Sequence, residues 1–321
     1  VGVFVVLPLV LPLTAWPIAR LAGPRLHPRT ATRVLSLVGG VLAVCSTLCL
    51  LLLMVAGTAQ LPGNPLPDAW ADPEVRAVVP YDEAVGQAAL LVLAAVALAC
   101  GQLLWRHGWV RAGARRALTG LPPSRRAVLP DERPYAYALP GGPRGRGRVV
   151  VSSGMLDLLD THEREALIAH EEAHLTGRHH RFLLVAGLAA RANPFLRPLR
   201  SAVAFTTERW ADEDAARAVG DRTVVARAIG KAALASGPGH DLRRVPPLPA
   251  FAAAGPAPGP VPRRVAALLR PVPNARAWPP AGTAAGLALW TATAGAAASA
   301  LSSANATLVL VTVLRGATSA L

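Results

Sequence analysis

From Val34 to Ala59 the chain carries no charged side chain, and this stretch contains the apolar run Leu50–Val55. At 1.5 Å per helical residue it is long enough to cross about 30 Å of hydrocarbon. One soluble core cannot absorb several such segments, so their number decides what the chain can become. Ala84–Trp105 is a second uncharged run, closed by a tryptophan of the kind found at membrane interfaces. Val1–Ala19 is a third, interrupted by Pro8, Pro12 and Pro17. A helical bundle tolerates such prolines when neighbours satisfy the freed backbone groups. No basic region precedes this run, so a span rather than a signal peptide is expected. Everything between Arg276 and Arg315 is uncharged, and the Ala/Thr-rich Gly282–Leu314 is the fourth expected span. Charged residues make up 16% of the chain, well below the usual quarter, and the mean hydropathy is +0.38. Disorder, a secreted disulfide scaffold and a simple cytosolic enzyme are all poor fits on this ground. Cys45, Cys49 and Cys100 lie inside apolar runs and provide neither a disulfide framework nor a zinc-knuckle spacing.

The net charge of +14 is carried by arginine apart from Lys231. Arg20, Arg25, Arg29 and Arg33 follow the first span, and Arg106, Arg111, Arg115, Arg116, Arg125 and Arg126 follow the third. The loop between the second and third holds Asp68, Asp72, Glu74, Asp82 and Glu83 against Arg76. The positive-inside rule then gives one topology for a plasma-membrane protein: both termini outside and residues 106–276 cytoplasmic. The arginines read as topology and anionic-lipid determinants. No aromatic-interleaved basic face accompanies them, so nucleic-acid binding is not expected.

The expected fold is a mainly α membrane protein: three spans within residues 1–105 (about 1–19, 34–59 and 84–105), a cytoplasmic α+β domain over 106–276, and a fourth span over 282–314. Within the domain, Arg106 to Pro134 is a basic, proline-punctuated approach. Tyr135–Leu139 and Arg148–Ser152 form a small β-hairpin around Pro140–Gly147. A short apolar turn, Gly154–Leu159, follows. Asp160 caps a helix with Glu163 completing a capping box, and the helix is expected from Thr161 past His180. Asn193-Pro194 stops any continuation. Phe182–Ala190 is too short to span and is placed against the bilayer surface or the bundle. Thr206 or Thr207 starts another helix that Gly220 ends. Val245–Pro262 reads as a loop or disordered link.

The chemistry sits in His170-Glu171-Glu172-Ala173-His174, the H-E-x-x-H pattern. Residues four apart share a helix face, so both imidazoles can reach one zinc ion. Glu171 stands beside the metal rather than on it, placed as general base toward a water that zinc acidifies. Two candidates compete for the third ligand. Glu208 and Asp212 share a later helix face, Glu208 as ligand and Asp212 behind a ligand histidine. The alternative is His180, which with Gly177 completes the metzincin spacing H-E-x-x-H-x-x-G-x-x-H. That class needs a downstream Met-turn, and Met54 and Met155 both lie upstream, which favours Glu208. His179 and His180 then read as surface or supporting groups.

Val149–Leu156, Glu165–His174, Asn193-Pro194-Phe195 and Glu208-x-x-x-Asp212 resemble the membrane zinc metallopeptidases of the BlaR/MecR antirepressor type. These are gluzincins related to the HtpX and CAAX-prenyl endopeptidases. Tyr135–Gly142 is similar to the edge strand that precedes the zinc helix there, and Arg264–Leu269 resembles the Arg-Ile-x-x-Leu tail. The resemblance covers roughly residues 120–270 and the layout of three spans before and one after. It implies a zinc peptidase with His170, His174 and Glu208 as ligands and Glu171 as base. HtpX-group relatives also steady the oxyanion with a His or Tyr; Tyr135, Tyr137 and His240 are the candidates, and packing is the expected role of both tyrosines. BlaR/MecR proteins carry an extracellular penicillin-binding sensor after the last span, whereas this chain ends six residues past Arg315, so direct β-lactam sensing is not expected.

Three functional readings follow. The first is a zinc endopeptidase cutting a protein or peptide at the cytoplasmic face, with a cytosolic transcriptional repressor as one substrate class. The second is an HtpX-like quality-control protease. The third is a non-catalytic membrane receptor whose zinc is structural, closed by His170, His174, Glu208 and His180.

Overall fold

The computed structural model describes residues 2–23, 25–59, 70, 83–122, 124–142, 147–235, 260–272 and 278–319. The chain opens with α1 (Gly2–Val10), a 3-10 turn (Leu11–Thr14) and α2 (Ala15–Ala22), the prolines falling inside the helices or at their first turns. Two long helices follow, α3 (Pro28–Thr58) and α4 (Glu83–Ala117). Pro28 opens α3, where its missing N–H would have had no partner anyway. A three-stranded sheet comes next: β1 (Arg126–Leu129), β2 (Ala136–Leu139) and β3 (Arg148–Ser152). Then come α5 (Ser153–Leu158), α6 (Thr161–Thr176), α7 (His179–Ala192), α8 (Arg197–Val219), α9 (Arg222–Ala235), α10 (Pro260–Leu268) and α11 (Ala284–Ser319).

Among the described residues four segments are long and apolar enough to cross a membrane: Phe4–Ala22, Pro28–Thr58, Ala84–Ala117 and Ala284–Gly316. They coincide with the four uncharged runs. Small residues let them approach closely, as expected where lipid offers no hydrophobic drive for association. A Cβ on Gly57 of α3 would lie 2.2 Å from the Gly86 Cα of α4, so the two backbones touch directly. Ser302 of α11 donates to the Phe4 carbonyl at 2.7 Å. The cysteines are free, two of them buried in α3. The acidic loop, the hairpin tip at 143–146, most of the Val245–Pro262 link and His240 lie outside the described residues.

The expected hairpin forms, with β2 antiparallel to β3. β1, read as part of the basic approach, pairs parallel with β3 and makes the sheet order β1-β3-β2. Four residues between arginines and Pro130 are too few to show alternation. All of Gly154–Leu159 but the extended Leu159 belongs to the helix α5 rather than a turn, with Ser152 capping it from the end of β3. The Asp160–Glu163 capping box starts α6. The Glu163 carboxylate also receives Lys231 of α9 at 2.6 Å, so the zinc-motif helix is tied at its first turn to a later element.

Two helix boundaries differ from expectation. The motif helix does not run past His180. It ends at Thr176, and Arg178 takes the left-handed conformation at φ 51° before α7 begins. A Cβ on Gly177 would sit 2.3 Å from His179 Nε2 and 3.1 Å from the Ala173 carbonyl, so the break closes only around a glycine. α8 begins at Arg197 rather than at Thr206 or Thr207, because Pro198 occupies the first turn, where proline is tolerated. The Asn193 side chain accepts from Phe195 N and sets the corner between α7 and α8. Gly220, at φ 81°, ends α8 as expected.

The α7–α8 hairpin lies along α3. Thr206 bonds Thr32 at 2.9 Å, Leu199 lies 3.6 Å from a Cβ placed on Gly39, and Asn193 donates to Ser46 at 3.4 Å. Thr32 and Ser46 are about 21 Å apart along α3. The hairpin's tip therefore reaches the middle of the uncharged Val34–Ala59 run, and Phe182–Ala190 packs into the bundle. One core joins Ala15, Leu35, Leu42, Ala189, Leu199 and Leu289, drawn from α2, α3, α7, α8 and α11.

Replacing Gly86 by Leu would force α3 and α4 apart, because the opposing atoms are backbone and no rotamer change relieves the overlap. Overpacking of this kind costs about 1–3 kcal/mol. The expected outcome is a lower thermal midpoint for the purified protein in detergent, whereas Leu at Gly101, with nothing within 4 Å of its Cβ position, leaves the midpoint unchanged.

Candidate metal centre

His170 and His174 project from one face of α6, and their Nε2 atoms approach to 3.1 Å. Glu208 comes from the middle of α8, which crosses that face. Its carboxylate lies 3.6 Å from His170 Nε2 and 3.5 Å from His174 Nε2. A tetrahedral zinc ion with bonds of 2.0–2.1 Å holds its donors roughly 3.3 Å from one another. All three separations lie near that edge length, so the donor set fits zinc. Among the described residues this is the group whose ligand atoms, all within 4.8 Å of one another, can hold a metal. His180 is not part of it. The break at Gly177–Arg178 carries His180 away from the α6 face, to a place where Arg111, Arg181, His107 and Arg178 act on it.

The opposite ring nitrogens are held from behind. His170 Nδ1 lies 3.1 Å from Asp212 Oδ1, one turn past Glu208 on α8. His174 Nδ1 lies 3.0 Å from His179 Nδ1. His179 is fully buried, with its ring 4.5 Å from Trp210. Trp210 in turn lies beneath Arg29 and Arg33 of α3, at 5.3 and 5.4 Å. With Nδ1 turned toward a partner, each imidazole has its Nε2 facing the metal position, where a bound metal would take the place of any Nε2 proton.

Arg264 of α10 closes the other side. Its Nε and one terminal nitrogen form a bidentate pair with Asp212 at 2.8 and 2.7 Å, and the other terminal nitrogen lies 2.9 Å from Glu208. α10 is docked by Arg222, which donates to the Leu268 and Ala267 carbonyls at 2.9 and 3.1 Å and pairs with buried Glu213. The sequence showed Arg264 only as part of a family-like tail. Nothing in its spacing announced that it returns to the site, and the role of His179 was equally hidden behind the break in the helix.

The electrostatics follow from these contacts. Desolvation opposes charge on both carboxylates, but Arg264 and the imidazoles hold Glu208 well below the usual carboxylate range, and Arg264 with His170 lowers Asp212. Desolvation also opposes charge on His170, yet Asp212 and Glu208 hold its pKa up at about 10; at His174 desolvation prevails and the pKa falls to about 4. Glu171 lies just beyond the cluster and receives the Ala138 amide of β2. Desolvation, helped by the Glu208 charge, pushes its pKa up to about 7. Tyr137 is buried in the sheet's own core with Tyr135 against it, so both tyrosines pack rather than face the metal position.

Residues 104–192 match the pattern of Peptidase family M48. Over 86 residues the chain is 40% identical to a protease HtpX homolog of Aquifex aeolicus, covering 27% of this chain and 26% of that protein. It is 36% identical over 89 residues to a protease HtpX homolog of Methanocaldococcus jannaschii, covering 28% and 29%. A protease HtpX homolog of Pyrococcus abyssi is 40% identical over 72 residues, 22% and 24% of the two chains. The chain thus spans about a quarter of the length of these relatives. No solved structure matches it. The family match takes in the sheet, α6 and α7 and stops before Glu208.

Replacing His179 by Phe keeps a ring against Trp210 but removes the partner of His174 Nδ1. Loss of such a supporting contact costs about 10–100-fold in metal affinity. Zinc competition with a chelator is expected to show a drop of that size, while Asn at the same position, which restores an acceptor, recovers part of it.

Proposed function

We propose that this chain is a multi-pass membrane zinc endopeptidase that cuts protein substrates at the basic, cytoplasmic face of the bilayer. The observation that carries the reading is the convergence of His170, His174 and Glu208 at tetrahedral spacing, with Glu171 beside them and outside the donor set. Three protein donors leave a coordination position for substrate, which is how catalytic zinc sites differ from structural ones. The apolar helices and the similarity to proteins named as HtpX proteases support the membrane-protease reading. That similarity favours an HtpX-like role in membrane-protein quality control over cleavage of a cytosolic transcriptional repressor. The orientation, with both termini outside, rests on the arginine distribution.

Bound zinc would supply a Lewis acid that polarises the scissile carbonyl and acidifies water. Glu171, poised near neutrality, takes the proton of the attacking water on its carboxylate and then delivers it to the leaving amine nitrogen. Asp212 and His179 keep the two imidazoles turned, and Arg264 keeps Glu208 ionised. β2 is an edge strand of the sheet and packs against the zinc-motif helix, so it offers an extended substrate a partner strand beside Glu171.

The test is metal analysis with a proteolysis assay on wild type and Glu171→Gln. The wild type should hold one zinc per chain, and the variant should keep the metal while losing about 10²–10⁴-fold in rate. A variant that retains full proteolysis refutes the assignment of the base. Inhibition by a hydroxamate, which needs a vacant coordination position, is expected; a zinc-loaded protein that fails to bind it is a receptor with a structural metal instead.

A further inference from the structure

The C-terminal third of α4 carries a cluster that the metal site does not use. Arg111 is half-buried, its two terminal nitrogens lying 3.3 Å from His107 Nε2 and 3.4 Å from the Gly141 carbonyl. Its Nε is buried and has no hydrogen-bond partner among the described residues. Arg115, one turn on, reaches the Pro140 carbonyl at 3.4 Å, and its guanidinium lies 3.4–3.6 Å from where a Cβ on Gly142 would be. α7 packs against α4 just ahead of this cluster: Cys100 Sγ is 3.8 Å from the Leu188 carbonyl, and Leu103 touches Gly187. The start of α7 therefore brings His180, Arg178 and Arg181 to the same place. Burial, together with Arg111, Arg181, His107 and Arg178, pushes the His180 pKa down to about 4.

Positive charge collects here without a negative complement. Among the described residues no carboxylate lies within ion-pairing distance of Arg111, Arg115, Arg178 or Arg181. The level in the membrane is fixed by the packing. On α4 the cluster follows Trp105 and Trp109, which are 70% and 54% exposed and stand where interfacial tryptophans stand. On α7 it precedes Val185, which meets Gly40 of α3 near the start of the uncharged run. A desolvated guanidinium at that depth is costly alone, and a phosphate is its natural partner because two of its oxygens match the guanidinium fork.

We propose that Arg111 and Arg115 of α4, walled by the start of α7 and the Pro140–Gly142 turn, form a binding site for the phosphate of an anionic phospholipid headgroup. The site also bears on the catalytic strand. The two arginines hold the carbonyls that directly follow β2, and β2 presents the Ala138 amide to Glu171. A phosphate that fixes both guanidiniums therefore fixes the end of the edge strand and steadies it beside the metal centre. Only this coupling touches the proposed peptidase reading; the site itself stands without it.

The experiment uses the full chain with its metal, purified in detergent, and three probes: short-chain phosphatidylglycerol, short-chain phosphatidylcholine and inorganic phosphate. Tryptophan fluorescence reports binding, and hydrogen exchange of the 136–139 amides reports the strand. Phosphatidylglycerol should saturate and slow exchange, and phosphatidylcholine should do neither. Arg111→Gln should weaken binding about fivefold, and Arg111→Lys, which keeps the charge but loses the fork, should fall between. Arg115→Gln alters an exposed side chain and guards against misfolding of the first variant; it should weaken binding too. Arg270→Gln, outside the cluster, should leave binding intact. Inorganic phosphate competing at equal concentration would keep the site and assign it to free phosphate. Equal binding by wild type and both glutamine variants, or equal binding of the two lipids, overturns the site; binding without slower exchange overturns the coupling.

Discussion

Two carboxylates one helical turn apart, Asp212 buried and Glu208 partly so, repel one another strongly unless a cation lies between them. Arg264 is that cation, and the rest of the centre depends on it. Its fork holds Asp212, its remaining nitrogen holds Glu208, and through them it fixes the imidazole of His170 and the third donor of the metal site. A bound divalent ion would add positive charge where Glu208 and the imidazoles already point. The arginine thus prepares the anionic side of the site without occupying the metal position.

The site is anchored to the bundle as firmly as to its own helices. His174 leans on His179, His179 on Trp210, and Trp210 lies under two arginines at the start of α3. Below that stack the α7–α8 hairpin follows α3 from Thr32 to Ser46. The candidate metal centre therefore sits beside the point where the uncharged part of α3 gives way to arginine. A displacement of α3 along its axis would reach a metal ligand through three ring contacts.

Much of this was legible in the sequence because it depends on local spacing. The uncharged runs mark the four candidate spans, the Asp160–Glu163 box marks the start of the zinc-motif helix, and His170, Glu171 and His174 follow from a single helix face. Glu208 and Asp212 were legible as an i, i+4 pair, and the missing downstream Met-turn already favoured Glu208 over His180, but the break at Gly177 that turns the chain before His180 was not legible. What stayed hidden was nonlocal or strained. β1 is four residues long and gains its meaning from β3. The left-handed Arg178 is not a residue type that advertises such a backbone. Arg264 lies far along the chain from the acids it neutralises, and no periodicity connects them.

That distance has a consequence for biogenesis. Asp212 and Glu208 leave the ribosome more than fifty residues ahead of the guanidinium that pairs with them. Until translation passes Arg264, the acidic wall of the cleft repels itself and the third donor has nothing to hold it in line. A nascent chain that has not yet reached Arg264 thus carries its histidine motif without the ion pairs that brace Glu208 and Asp212. The donor set is braced on its acidic side only once the short helix that bears Arg264 has docked against α8.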